Sequence, residues 1–501
     1  MVVKKNSKNE KEVFTKGSKG LSVSKKDNFS EWYTQLVQKA ELADLRYNVK
    51  GFLVFQPWSV LAMEKMYKHL ESALQRKGHK PYYFPTLIPE SNLKKESKHV
   101  EGFTPEVFWV THGGDKKLEE QLALRPTSET AFYQMFSLWI RSYKDLPFKT
   151  YQRANVFRYE TKATRPFLRS REFHWIEAHC ALPTKEAAEQ QVQEDMSTTK
   201  EVLQDVFGLP FIFFERPSWD TFPGAEHTYA ADVLNPDGRV VQQPSTHLIS
   251  QEFSKAFDVK YKDADGKEKY VWITCYGPAI SRIFASVVIT HGDDKGLRFP
   301  WVIAPVQVAM VPITQDSEVL EKIKHIQQKL LNSDFIDSVE IDSSEKSTGE
   351  KFNYWEMKGV PVRIDIGLKD LKEKSVTVFR RDLNEKKAIK EDQLLDYLKK
   401  ISLESQENLK KQAAKMFDNR VKDASTLLGV KKIIEEGGIA RVSFCSVEKE
   451  GMACAEKIEK EVGAKVRGRK LEEHGKREVA SGMCVGCGKK AKEVVYIARE
   501  Y

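Results

Sequence analysis

The sequence predicts an α+β protein. An antiparallel sheet with flanking helices comes first, then an α/β unit, then a small C-terminal α/β domain. Three observations predict this. Strand-like runs between Phe108 and Gln243 follow one another without regular helical crossovers, the mark of an antiparallel sheet. Residues 305–405 alternate apolar strands with helical faces, which implies a mostly parallel or mixed sheet. Four of the six cysteines fall in about the last sixty residues, which suggests a local site and not a network of bridges.

The chain has 501 residues, enough for about three domains and a substantial core. With 41% apolar and 31% charged residues it is neither fibrous nor wholly disordered. No run approaches roughly eighteen apolar residues, which excludes a transmembrane helix. Six cysteines are too few for a secreted disulfide framework. The net charge of +9, from 81 Lys+Arg against 72 Asp+Glu, admits a polyanionic partner without requiring one.

Residues 1 to about 28 are polar and carry Lys4, Lys5, Lys8, Lys11, Lys16, Lys19, Lys25 and Lys26. They hold no apolar stretch of a secretory signal and no arginine, so they read as a disordered basic arm of a cytoplasmic protein. From 29 to 300 helix and strand are mixed. Met63, Met66, Tyr67, Leu70 and Leu74 share one face of a helix from about Val60 to Lys77, and Gly78 caps it. A short strand, Tyr82–Pro85, follows. Further strands are expected at Phe108–Thr111, Thr150–Tyr159, Glu172–Cys180 and Val240–Gln243, and a buried helix over Ala279–Ile289. In the 305–405 unit, Val306–Ile313, Val360–Ile366 and Val376–Phe379 are strands. Val319, Leu320, Ile323, Ile326 and Leu330 form a helical face. Residues 391–430 read as a charged helical connector. A C-terminal domain over 406–501 carries the cysteine cluster.

The segment richest in chemistry is Phe157-Arg158-Tyr159-Glu160, a loop through Lys162 and Arg165, then Arg169-Ser170-Arg171-Glu172-Phe173. Two strands and a basic loop would present guanidinium forks to one side, and such forks suit phosphate oxygens. A glutamate among them suits the amino group of a base, and an aromatic can stack on that base. The bland alternative is an exposed basic hairpin.

This pattern resembles motif 2 of class II aminoacyl-tRNA synthetases. The helix followed by Tyr82–Pro85 resembles motif 1. Cys275-Tyr276-Gly277-Pro278-Ala279-Ile280-Ser281-Arg282 resembles motif 3. Leu124-Arg125-Pro126-Thr127-Ser128-Glu129-Thr130, Trp175-Ile176-Glu177-Ala178-His179, Trp219-Asp220 with Phe222-Pro223-Gly224, and His291–Leu297 narrow the resemblance to prolyl-tRNA synthetases of the archaeal/eukaryotic-like type. So does Trp355-Glu356-Met357-Lys358-Gly359-Val360-Pro361. It extends over residues 29–501. About a hundred residues separate Glu177 from Cys275, too few for the large editing insertion of many bacterial relatives.

The resemblance implies a class II catalytic domain at 29–300, an anticodon-binding domain at 305–405 and a zinc-binding-like domain at the C-terminus. It implies a homodimer, paired through motif 1, that ligates L-proline to tRNA(Pro) through a prolyl-adenylate, with ATP and Mg²⁺. Arg158 would hold the α-phosphate and the proline carboxylate. Glu160 would read the adenine amino group and Arg169 would reach the outer phosphates. Phe173 and Arg282 would sandwich the base, although Gly277 to Arg282 is one residue longer than this type usually shows. Gln242 and Ser245 are further ATP candidates. Thr127 and Glu129 would accept from the proline ammonium, and Trp175, Glu177, His179 and His247 would line its ring. Lys369, Arg380 and Arg381 are candidate RNA contacts.

Cys484-Val485-Gly486-Cys487 has the spacing of a zinc knuckle. With Cys445 and Cys454, which have eight residues between them, it could complete a structural Zn²⁺ site. Unmetallated cysteines are the alternative. Two other readings compete for the whole chain. One is a class II synthetase for threonine or serine. The other is a non-catalytic paralogue that binds RNA.

Overall fold

The computed structural model describes residues 20–95, 107–160, 163–471 and 477–501. Lys162 and the first nineteen residues of the basic arm lie outside them. The end of that arm is docked, contrary to expectation. Leu21 and Val23 pack on the main core. Lys25 Nζ donates to Gly292 O at 2.7 Å, and its backbone N–H donates to Asp294 Oδ1 at 2.6 Å.

The central sheet has eleven strands. Its larger part runs Ile212–Glu215, His227–Leu234, Arg239–Ser250, Trp272–Gly277, Glu172–Leu182 and Phe148–Phe157, all antiparallel. Two-residue strand Lys80–Pro81 closes that edge in parallel with Thr150 and Tyr151. The strand expected at Tyr82–Pro85 is therefore displaced. Pro81 and Pro85 bracket it and cannot donate to a ladder; Tyr82 N–H reaches Tyr151 O at 2.8 Å, whereas Phe84 N–H goes to the Gln152 side chain at 3.2 Å.

Helix Pro57–Arg76 starts with proline at its first turn and buries Met63, Met66, Tyr67, Leu70 and Leu74. It packs on the helix Ile280–His291, which lies under the sheet and is buried on nearly every side. Pro244 sits inside the strand Arg239–Ser250, where a proline would break a regular ladder. The register shifts there between Ala230 and Asp232, so a bulge absorbs it.

The next unit is a five-stranded mixed sheet. Val339–Ile341, Val308–Pro312 and Val362–Ile366 are parallel, and Ser375–Arg380 and Glu385–Lys390 add antiparallel strands. Helix Ser317–Leu331 buries Val319, Ile323, Ile326 and Leu330 on it. The connector is one helix, Leu394–Asp418, and is shorter than expected, because Val421–Ala424 is already a strand of the last domain.

That last domain does not stand apart. Its strand Lys465–Lys470 pairs with Ile212–Glu215, so its sheet continues the central sheet. Gly468, with φ +124°, makes the junction possible. A Cβ there would lie 2.0 Å from Glu215 O. Among the described residues no helix is long and apolar enough to cross a membrane.

Candidate active site and metal centre

Alternation along one strand explains the first cluster. Trp175, Glu177 and His179 are two residues apart on Glu172–Leu182, so they share a face. Register then sets their neighbours. Thr150, His179, Cys275 and His247 stand opposite one another in turn across four adjacent strands. The loop before helix Glu129–Trp139 covers this row, and Thr127, Glu129, Glu177 and His179 are all buried.

Glu177 is the hub. Its carboxylate accepts from Thr127 Oγ1 at 3.1 Å, Ser128 N–H at 3.0 Å and Gln152 Nε2 at 3.2 Å. It also faces His179 Nε2 at 3.1 Å. Burial pushes this carboxyl up, but His179 and the Ser128 donors outweigh it and hold it below the ordinary range. Tyr133 OH lies 2.8 Å from His179 Nδ1. Glu177 can only accept, so Nε2 carries the proton and Nδ1 accepts from Tyr133. Both imidazole nitrogens are thus engaged. Glu129, His179 and Cys275 place ligand atoms within 4.8 Å of one another, but His179 has no lone pair left for a metal. Thr127 Oγ1 also contacts Glu129, so its single proton is shared between the two carboxylates. Trp175 Nε1 is buried without a hydrogen-bond partner.

His247 lies between Thr228 Oγ1 and Ser245 Oγ, each 3.0 Å away. Burial, with His179 and Arg216 nearby, pushes it down to about 3, so it is neutral. The Ser245 hydroxyl, an ATP candidate from sequence, thus contacts His247, which stands in the row that carries His179.

The second cluster is a narrow cleft of about 40 Å³, lined by Arg158, Glu160, Arg169, Phe173, Ser281 and Arg282 among others. The hairpin brings its two arms together, and motif 3 supplies the floor. The Arg158 guanidinium lies 5.4 Å from the Phe173 ring centroid. Arg169 Nε is 3.7 Å from Glu160 Oε2. Despite the longer spacing, Arg282 reaches the cleft. Its Nε donates to Leu168 O at 3.3 Å and its Nη1 to Gln242 O at 3.2 Å. Burial, then the adjoining Arg158 and Arg169, push Arg282 down to about 10. It still carries its charge at neutral pH. Three crowded cations repel one another, and a polyanion would relieve them. Ser281 Oγ, in the same wall, has no partner.

The clusters touch through Arg158. Its Nε donates to Pro126 O at 3.1 Å, one residue before Thr127. The chain terminus also arrives here, and Arg169 Nη2 donates to Tyr501 O at 2.7 Å.

Sequence reasoning missed several participants. Tyr133 lies one helical turn after Glu129 and was findable by that spacing. Gln152 and the buried Arg216–Asp232–Arg467 group left no local signal. Two proposed RNA contacts are corrected. Arg381 is buried and holds Asp293 through Nη1 at 2.7 Å and Nη2 at 2.5 Å. Arg380 is engaged by Asp382 and Glu404. Lys369 is exposed.

The four C-terminal cysteines converge. Their sulfurs lie within 4.8 Å of one another, with Cys445 and Cys454 3.6 Å apart. Gly486 N–H donates to Cys484 Sγ at 3.4 Å, and a Cβ at Gly486 would come 3.1 Å from Cys454 Sγ. The long spacing is spanned by a turn and the first turn of helix Met452–Val462, which bring Cys454 back beneath Cys445. Four converging thiols and a glycine knuckle fit tetrahedral zinc.

Comparison with known proteins gives a consistent result. The tRNA synthetase class II core domain (G, H, P, S and T) model matches residues 108–291. The anticodon binding domain matches 307–401, and the prolyl-tRNA synthetase C-terminal model matches 429–501. Proline–tRNA ligase of Thermofilum pendens is 47% identical, with 96% of this chain and 99% of the relative covered. That of Methanopyrus kandleri is 41% identical over 94% and 96%. Giardia lamblia prolyl-tRNA synthetase in complex with prolyl-adenylate superposes with a TM-score of 0.92 at 36% identity, covering 96% of this chain and all of that one. The Cryptosporidium parvum enzyme complexed with L-proline and AMP gives 0.89 at 30%, over 97% and 98%.

Proposed function

The chain belongs to the prolyl-tRNA synthetases, class II aminoacyl-tRNA synthetases that charge tRNA with proline, and from that premise we propose how its residues divide the work. One observation carries the division: Arg158 spans the nucleotide cleft and the loop over the Glu177 cluster. Its guanidinium is placed to hold the two reacting groups together.

In the first step a proline carboxylate oxygen attacks the α-phosphorus of ATP. The bond to the bridging oxygen of the β-phosphate breaks, and pyrophosphate leaves. A carboxylate is already a nucleophile, so this step needs positioning and charge neutralisation, not a base. Arg158 neutralises the α-phosphate and steers the carboxylate. Arg169 takes the outer phosphates, Glu160 accepts from the adenine amino group, and Phe173 and Arg282 enclose the ring. ATP would arrive with Mg²⁺, which supplies further neutralisation on the phosphates when bound. Gln242 borders the nucleotide.

The proline ammonium faces Thr127 and Glu129. Trp175, Glu177, His179 and His247 form the wall for the ring, and Ser245 braces His247. In the second step the terminal ribose hydroxyl of tRNA(Pro) attacks the prolyl carbonyl carbon, and AMP leaves. The five-stranded unit reads the anticodon. We place the enzyme in the cytoplasm as a homodimer. Exposed Tyr83, Leu87, Leu138 and Trp139 around the motif 1 edge support that pairing. Cys445, Cys454, Cys484 and Cys487 would hold a zinc ion whose role is structural, since protein fills all four positions.

Proline-dependent ATP–pyrophosphate exchange tests the division. Glu129→Gln should raise KM for proline at least about tenfold and leave KM for ATP unchanged, whereas Arg282→Met should do the reverse. Equal effects on both substrates would contradict it.

A further inference from the structure

A buried ionic group joins the C-terminal domain to the edge of the nucleotide cleft. Asp232 is wholly buried and lies between two arginines from distant segments. Arg216 donates to it through Nη2 at 2.7 Å and Nη1 at 3.1 Å. Arg467, on the C-terminal strand Lys465–Lys470, donates through Nε at 2.7 Å and Nη2 at 3.3 Å. Arg467 Nη1 also meets Glu500 Oε2 at 2.5 Å, and Arg467 O accepts from Arg216 Nη1 at 2.9 Å. One hydrogen bond leaves this group toward the active site, from Arg216 Nη2 to Gln242 Oε1 at 3.2 Å.

That bond fixes a direction. A guanidinium can only donate, so the side-chain oxygen of Gln242 must face Arg216. The NH₂ group then points the other way. The Gln242 backbone carbonyl is meanwhile held by Arg282 of the cleft. Held at its backbone carbonyl and at its side-chain oxygen, Gln242 offers two N–H donors to its surroundings, which suits the oxygens of a phosphate or ribose.

We propose that Arg467 is a positioning residue for nucleotide binding: through Asp232 and Arg216 it sets the Gln242 amide with its donors toward ATP. The C-terminal domain thereby takes part in nucleotide affinity without touching the nucleotide. The inference rests on Gln242 bordering the nucleotide, as proposed above, and deepens that reading.

Full-length protein and ATP–pyrophosphate exchange test it. Gln242→Ala should raise KM for ATP about tenfold with KM for proline within about twofold, and if KM for ATP is unchanged the reading of Gln242 itself fails. Arg467→Met, assayed at temperatures where it stays folded, should raise KM for ATP by a similar factor, and Arg467→Lys, which keeps a cation beside Asp232, should recover most of it. In the Gln242→Ala background Arg467→Met should add nothing. A further rise in that background, or an equal rise for proline, overturns the Arg467 role while leaving Gln242 in place. Gln242→Glu provides an arm that does not depend on the folding of Arg467→Met. It keeps the bond to Arg216 but turns a carboxylate oxygen toward the phosphates, so it should impair ATP binding more than Gln242→Ala. An effect no larger than that of alanine overturns the pinned orientation.

Discussion

Glu177 shows what a residue can and cannot disclose in a sequence. Its place two residues from Trp175 and His179 was readable, because a strand puts such residues on one face. Three of its four partners, Thr127, Ser128 and Gln152, come from two other segments, and only the fold reveals them. Asp195 is a clearer case of the illegible. It sits on a helix of ordinary polar composition, Lys185–Thr199, yet is buried against the sheet, where Thr246 Oγ1 donates to it at 2.8 Å and Gln191 Nε2 at 2.9 Å. Burial pushes its carboxyl up from 3.8 to about 7. The folded state therefore favours the protonated form, and stability is lost as pH rises from about 4 through 7. Asp195→Asn removes that loss. The melting-temperature advantage of the variant over wild type should be small near pH 4 and should widen up to about pH 7.

At the scale of elements, periodicity carried most of the reading. The motif 1 helix, the motif 3 helix and the face of Ser317–Leu331 were legible because burial repeats at helical spacing. Tyr82–Pro85 was misread because its aromatic composition suits a strand while its prolines exclude a ladder. The Cys484–Cys487 knuckle was legible from its glycine and spacing. Its union with Cys445 and Cys454 needed the turn that doubles the chain back. Purified protein should contain about one zinc per chain by elemental analysis, and Cys484→Ser should lose it and melt several degrees lower. The same variant should retain proline-dependent exchange at temperatures where it stays folded, since the knuckle lies outside the reaction.

At the scale of the molecule, the order of units was legible and their joints were not. Nothing in residues 465–470 announces that they extend a catalytic sheet more than two hundred residues earlier. The same holds for the bond between Arg381 and Asp293. Asp293 follows the motif 3 helix and Arg381 follows a strand of the anticodon-reading unit, so the pair fastens that unit to the helix that carries Arg282. Arg381→Met would leave Asp293 without its partner, at a cost of about 2–3 kcal/mol in this partly exposed setting. We expect tRNA aminoacylation to fall about tenfold further than tRNA-independent exchange, measured on one preparation. Equal losses would mean that the pair supports only local folding.

On the division of work proposed above, the Thr127–Glu129–Glu177–His179 pocket selects proline for adenylation in the adjoining arginine cleft. The most direct measurement is ATP–pyrophosphate exchange without tRNA, run with each of the twenty amino acids. Proline should exceed all others, with weak signals from alanine and cysteine, because each missing methylene is worth only about 10- to 200-fold in discrimination. Exchange driven better by another amino acid, or absent with proline while ATP still binds, would contradict it.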